Sequence, residues 1–396
     1  MKQRYPLHIF LFLVTVLTTM VAGAELVSGR PLVLPPGMPT KEIFLGMAGR
    51  VWDGIGQGAS FSFAFLLFLT VHEFGHYFTA VYHKVRCTLP FYIPIYIPGV
   101  PVNIGSFGAV IRIREVPSSR RKYFDIGVAG PLAGFVVALG LLIYGFTHLP
   151  PMEATVLGIH PGYISEFGGV PTEAEMAHAG GVLRFGGSLL YEMLHSLFAG
   201  DANMPPDFEI AHYPFLFVGF LTLFFTALNL LPIGQLDGGH VTYGLFGARV
   251  ASVISRVAVL VLLLVGGIGL FTMRHLEAMA SGIAWYDLLG EIAMVLLYFG
   301  FLYYVLSRLF AGRKWKWLVL ATLLIAALQF VIALGFGPVA PNIIWLLYAG
   351  MAVRLIGLDH PIAPDDTPLT TGQKVLGWLA IVIFIMCFSP SPISLT

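Results

Sequence analysis

The chain has 396 residues, of which 57% are hydrophobic and 11% charged, with a formal net charge of +1. Globular domains carry about a quarter charged residues, so this composition is that of an integral membrane protein. The near-zero charge and the lack of a basic or Gly-Arg tract exclude nucleic-acid binding. Cys87 and Cys387 alone supply neither a disulfide framework nor a CxxC metal site.

Apolar runs of spanning or near-spanning length fall at about 7–24, 59–82, 124–146, 213–231, 253–273, 292–309, 317–334, 342–356 and 375–388. They predict an all-α polytopic membrane protein with about nine transmembrane helices. A first helix and external linker (1–58), a membrane core (59–247) and C-terminal helices (248–396) are the expected parts. Lys and Arg concentrate in one alternating set of loops, which the positive-inside rule assigns to the cytoplasm. A bacterial cytoplasmic membrane is the expected setting, with an organelle membrane of bacterial descent as the alternative.

The first run follows Lys2 and Arg4 and contains Ala22-Gly23-Ala24, so it reads as a transmembrane helix or as a cleavable signal peptide. Gly54-Ile55-Gly56-Gln57-Gly58 then reads as a flexible entry to the second run. That run carries His72-Glu73-Phe74-Gly75-His76, the HExxH pattern of zinc peptidases. Residues four apart share a helix face, so both imidazoles can hold one Zn²⁺ with Glu73 beside them. A carboxylate near a bilayer centre costs roughly 2.5–3.5 kcal/mol, and no Lys or Arg occurs between Asp53 and Lys84 to offset it. A bound cation would do so.

Residues 88–115 contain Pro90, Pro94, Pro98 and Pro101, then Gly105-Ser106-Phe107-Gly108 and an alternating Ala109–Arg114. Prolines exclude a helix, the glycines suit a turn and the alternation suits a strand, so a small re-entrant or membrane-surface β-hairpin is expected. Asp125 reads as an N-terminal helix cap, and Gly130-Pro131-Leu132-Ala133-Gly134 as a site of close helix packing. Residues 152–211 hold eight acidic residues and one basic one; they form an external loop too irregular to predict as a folded domain.

A catalytic zinc keeps three protein ligands and an open position. The extended soluble motif would need Gly at 79 and His at 82, where this chain has Thr79 and Tyr82, and the next glutamate is Glu115. The fourth run ends in Asn229-Leu230-Leu231-Pro232-Ile233-Gly234-Gln235-Leu236-Asp237-Gly238-Gly239-His240. Asp237 is the only charged residue between Glu209 and Arg249, while Pro232 and Gly238-Gly239 are expected to break the helix. Two lone carboxylates in separate apolar runs point to a shared cation held by His72, His76 and Asp237. The plainer alternatives make Asp237 a helix cap or a partner of Arg256 or Arg354, Asn229 an interhelical amide, and His240 a solvated loop histidine.

The two motifs together resemble the site-2 protease family of intramembrane zinc metalloproteases. Asn229-x-x-Pro232-x-x-x-Leu236-Asp237-Gly238 is similar to its second signature, and Gly130–Gly134 to a third feature. The resemblance implies one Zn²⁺ per chain on His72, His76 and Asp237, with Glu73 as general acid/base and Asn229 near the tetrahedral intermediate. It implies a re-entrant β element around Gly105, Phe107 and Gly108 that, with Pro232 at the helix break, positions substrate. The partners it implies are the lipid bilayer and a membrane-spanning protein or peptide substrate; the oligomeric state stays open. A metal or ion transporter, or a scaffold of the same membrane fold, is the competing function, since intramembrane carboxylates also mark ion pathways. Transport predicts repeated halves, and none is visible. A membrane zinc peptidase using a glutamate as third ligand is a nearer rival.

Overall fold

The computed structural model describes residues 5–29, 40–97, 103–179, 182–198, 203–270, 285–336 and 341–395. The hairpin tip with Pro98 and Pro101 lies outside them. By internal packing the chain divides into one unit formed by Met1–Leu230 with Ala363–Pro392 and a second formed by Leu231–Ile362 with Ile393–Thr396. This division departs from the expected partition, because the last apolar helix joins the first unit rather than the other C-terminal helices.

The first unit contains α1 (Tyr5–Ser28), α2 (Thr40–Tyr82), a hairpin of β1 (Phe91–Pro94) and β2 (Ser106–Val110), and α3 (Arg120–Thr147). Short helices α4 (Met152–Ile159), α5 (Gly162–Phe167) and α6 (Glu173–Ala179), strand β3 (Leu183–Phe185) and helix α7 (Leu189–Phe198) lead to α8 (Pro214–Leu230). The acidic 152–211 segment is thus built from several helices rather than an irregular loop. Tyr191 and Leu194 bury apolar surface on its inner side, and that surface supplies the order its composition did not suggest.

Small residues set how closely the helices approach. A Cβ at Gly58 would run into the backbone of Met20, and one at Gly23 into Phe61, so α1 and α2 touch through their main chains. The Gly54–Gly58 stretch is therefore helical, not a flexible entry. Likewise a Cβ at Gly145 would meet the backbone of Leu216, and one at Gly219 the side chain of Leu142, which brings α3 against α8. In lipid such close packing replaces the hydrophobic drive available in water. Phe61, Phe65, Phe68, Phe124 and Phe217 fill the core between these helices.

The last helix of this unit, Thr371–Cys387, opens with a capping box between Thr370 and Gln373. The segment before it is tied to the start of α3: Arg120 N–H donates to the Asp365 carbonyl at 2.8 Å, and Arg121 Nε to that of Pro368 at 2.8 Å. Ser119, not Asp125, caps α3 through Lys122 N–H. Asp125 lies in the second turn, where its carboxylate meets His83 Nε2 and accepts from Gln373 Nε2, each at 2.8 Å.

In the second unit, the helix expected to break at Pro232 and Gly238-Gly239 breaks only at the first. A tight turn over 231–236, with Gly234 at φ +49°, leads into α9 (Asp237–Phe246). Gly238 and Gly239 lie inside the first turn of α9, where a Cβ on Gly239 would strike the Gly234 carbonyl. Helix α10 (Ala248–Gly267) follows, then α11 (Trp285–Leu309), α12 (Trp315–Phe336) and α13 (Ile343–Met351), which ends in a π-turn over Ala352–Ile356. The final helix of the other unit, Thr371–Cys387, is α14 in chain order. Gln329 of α12 donates to the Leu263 carbonyl of α10 and accepts from Tyr298 of α11, a buried polar clamp joining three apolar helices.

Among the described residues, six helices are long and apolar enough to cross a membrane: 5–28, 58–82, 120–147, 248–267, 292–309 and 315–335. Helices at 214–230, 343–356 and 371–387 are apolar but shorter. About 20 residues are needed for a hydrocarbon core of about 30 Å, so only six of the nine expected spans reach full crossing length. The helical class and the small two-stranded sheet are as expected.

Candidate metal centre

The HExxH segment lies in the last three turns of α2, which is uninterrupted because Phe, Leu and Ala dominate it and Gly75 has a packing partner. A Cβ on Gly75 would contact the Ala129 carbonyl of α3. From α3, a Cβ on Gly130 would overlap the His76 ring, and one on Gly134 would approach the His72 ring. The Gly130–Gly134 segment is therefore a cradle for both imidazoles, which gives its close packing a role at the site.

His72, Glu73 and His76 are all buried, with Glu73 only 7% exposed. His76 Nδ1–H donates to the Ile126 carbonyl of α3 at 2.7 Å, which leaves a lone pair on Nε2. That atom is 3.1 Å from His72 Nε2. The Asn229 amide near the end of α8 lies 3.3 Å from His72 Nε2, beside the same point. With both rings protonated at Nδ1, the two Nε2 lone pairs converge on one point, where a cation fits. Two nitrogens bound tetrahedrally to zinc at about 2.0–2.1 Å stand about 3.3 Å apart, close to the observed separation. The donor pair fits Zn²⁺.

The hairpin is docked next to this helix. Phe91 pairs with Val110, Tyr92 with Ala109 and Pro94 with Ser106 in antiparallel register, with an irregularity between Tyr92 and Pro94. The Tyr92 hydroxyl meets Thr70 Oγ1 at 2.8 Å, two residues before the motif. Sequence reasoning missed this anchor; a polar residue, Thr70, in an apolar span was its only signal. Of the predicted positioning residues, Gly105 has φ +76° and lies against the Thr18 backbone of α1, whose hydroxyl donates to its carbonyl at 2.6 Å. Gly105 therefore anchors the hairpin to α1. Phe107 is 71% exposed and Gly108, at φ +102°, faces open space. Pro232 forms part of the tight turn that ends α8.

Asp237 is the first residue of α9, where the helix dipole favours a carboxylate. Arg256, one of the plainer partners considered for Asp237, binds Asp359 at 3.1 Å. His240 is not a solvated loop histidine. It lies on α9 with its Nδ1 2.6 Å from His360 Nε2, and burial together with His240 pushes the His360 pKa down to about 3.

The sequence profile of peptidase family M50 matches residues 60–273, more than half of the chain. The chain belongs to peptidase family M50. Membership in this zinc metallopeptidase family bears out the resemblance read from the two motifs. Among individual proteins, the probable zinc metalloprotease EGY1, chloroplastic, of Oryza sativa subsp. japonica is 27% identical over 62% of this chain and 38% of its own length. The protein of the same name from Arabidopsis thaliana is 30% identical over 50% of this chain and 32% of its own. The probable zinc metalloprotease EGY2, chloroplastic, of Oryza sativa subsp. indica is 30% identical over 48% and 29%. The chain thus spans about a third of the length of these relatives. No solved structure matches it. The expectation of a bacterial cytoplasmic membrane is corrected by these relatives, whose names place them in chloroplasts; composition and charge bias report a bilayer but not whose it is.

Proposed function

We propose that this chain is an intramembrane zinc metalloprotease that hydrolyses peptide bonds within or beside membrane-spanning segments of other proteins. The observation that carries the reading is the pair of facing Nε2 atoms beside a buried Glu73 on an apolar helix. His72 and His76 hold one catalytic Zn²⁺ per chain, with Asp237 as the third ligand. Support for Asp237 comes from the family pattern and from the covalent tether, since only eight positions separate it from Asn229. When bound, Zn²⁺ supplies a Lewis acid and lowers the pKa of a coordinated water.

The protein's own groups complete the reaction. Glu73 takes a proton from the attacking water and returns it to the leaving amine. Its burial limits competing solvent. The Asn229 amide, held beside His72, donates to the oxygen that gains charge.

A helical substrate shields its amides, so it must unwind before it is cut. The β1–β2 hairpin, anchored one turn from Glu73 through Tyr92, offers strand edges to which an unwound segment can add. Phe107 and Gly108 leave that approach open, while Gly105 and Pro232 position substrate indirectly, by setting the hairpin and the end of α8. The three shorter apolar helices also cross in this reading, where the bilayer thins around a polar site, giving nine crossings. With relatives named chloroplastic, we place the chain in a plastid membrane. The test is cleavage of a co-reconstituted membrane-spanning reporter with mapping of the cut: Glu73→Gln must cut its rate by about 10²–10⁴-fold, and wild-type cleavage by that variant refutes the mechanism.

A further inference from the structure

At the far end of α8 from Asn229, a second set of donor atoms converges. Glu209 caps and His212 ends a turn of 3₁₀ helix (Ile210–His212) that leads into α8, and His160 caps the C-terminus of α4. His160 Nε2 lies 3.1 Å from His212 Nε2, Glu209 Oε2 lies 3.1 Å from His212 Nε2, and 3.5 Å separates Glu209 Oε2 from His160 Nε2. All three distances are close to the roughly 3.3 Å between neighbouring ligands of a tetrahedral first-row metal. The 17 residues of α8, at about 1.5 Å each, put this cluster about 25 Å from Asn229. It is separate from the HExxH helix.

Two features prepare these atoms to act together. Two of the three donors are oriented from behind: His212 Nδ1–H donates to the Leu26 carbonyl at the end of α1 at 2.7 Å, which leaves the Nε2 lone pair facing inward. The Tyr163 hydroxyl donates to Glu209 Oε1 at 2.9 Å. Backbone carbonyls and hydroxyls in these positions are the usual supports of metal-binding histidines and carboxylates. The other carboxylate oxygen, Glu209 Oε2, is buried and accepts no hydrogen bond, although Glu209 as a whole is 2% exposed. A buried carboxylate is costly unless a cation or donor meets it. Among the described residues, its ion-pair partners are only the two histidines. Over the cluster, Gly29 at φ +61° stands where a Cβ would press on Ile159, His212 and His160.

We propose that His160, Glu209 and His212 bind a second divalent transition-metal ion of the zinc class, distinct from the catalytic one, which fastens the 152–211 segment to the ends of α1 and α8. Two imidazoles and one carboxylate suit Zn²⁺ and its first-row neighbours and are poor ligands for Mg²⁺ or Ca²⁺. The sequence carries a faint trace of the site in the Glu209-x-x-His212 spacing, but His160 lies 49 positions earlier.

The test uses full-length protein in detergent, with His72→Ala/His76→Ala as a background that removes the other imidazole pair. Elemental analysis of that background should find one ion per chain. Adding Glu209→Gln and His212→Gln should remove it. After metal stripping, Co²⁺ added to the background should develop the visible d–d bands of a nitrogen–oxygen site, and the Gln variants should show none. Tyr163→Phe, which removes only a supporting hydrogen bond, should weaken Co²⁺ binding about 10- to 100-fold. A background protein that develops no Co²⁺ bands, or bands of equal strength in the Gln variants, overturns the proposal. The background result decides the matter even if the Gln variants fail to fold.

Discussion

Two pairs of facing histidines sit at opposite ends of α8, and they reach the same geometry by different routes. At one end, His72 and His76 come from successive turns of a single helix, and the α3 glycines and the Ile126 carbonyl hold their rings. At the other, His160 and His212 come from segments 52 positions apart and meet through the packing of α4, the 3₁₀ turn and the end of α1. Their Nε2 separations are 3.1 Å in both cases. A helix supplies one pair through its own periodicity, whereas the other exists only once the fold has closed. The first therefore tolerates change in distant loops, and the second should not.

The largest effect that would sharpen this contrast comes from Glu73→Gln, which removes the proton carrier while keeping the helix. Turnover of a membrane reporter should fall by about 10²–10⁴-fold, with zinc content unchanged by elemental analysis. Asp237→Ala should lower both zinc content and turnover; retained zinc would favour a glutamate ligand and break the assignment. Asn229→Ala should cost about 2.7–4 kcal/mol of transition-state stabilisation, read as a fall in kcat with little change in KM. Gly130→Ala should weaken zinc binding in a chelator competition, because its Cβ overlaps the His76 ring.

The smallest effect concerns the 152–211 segment. Burial, reinforced by the Glu173 and Glu192 carboxylates, raises the pKa of Asp207 from 3.8 to about 6. The folded state thus holds this proton more tightly than the unfolded chain. The stability it contributes is fully present below pH 3.8 and is lost as pH rises through about 6. After allowance for solvent screening, Asp207→Asn should stabilise the protein at pH 7 by on the order of 1 kcal/mol and flatten its melting temperature between those limits.

Much of the site was legible because its chemistry sits in apolar surroundings, where every ionisable residue stands out. Glu73 and Asp237 were conspicuous for want of basic neighbours, and the prolines and glycines of 88–115 required a hairpin. Asp125 was misread because a position near a helix start suggested capping, when Ser119 already filled that role. His240 was misread because its partner, His360, lies 120 positions away. The apolar runs at 213–231, 342–356 and 375–388 correspond to helices of 10–17 residues, the last of which starts earlier than its run, at Thr371, since hydropathy alone does not show where a helix starts or stops.

From residue order alone came the bilayer, the helical class, the paired imidazoles and the acid/base between them, since hydrophobicity and a period of 3.6 are local properties. The three-dimensional fold settled what depends on remote neighbours: the carbonyl that sets the His76 tautomer, the glycine cradle on α3, the Tyr92–Thr70 anchor, and the meeting of His160, Glu209 and His212. Those contacts join positions tens to hundreds of residues apart, and packing brings them together, with no pattern along the chain to announce them.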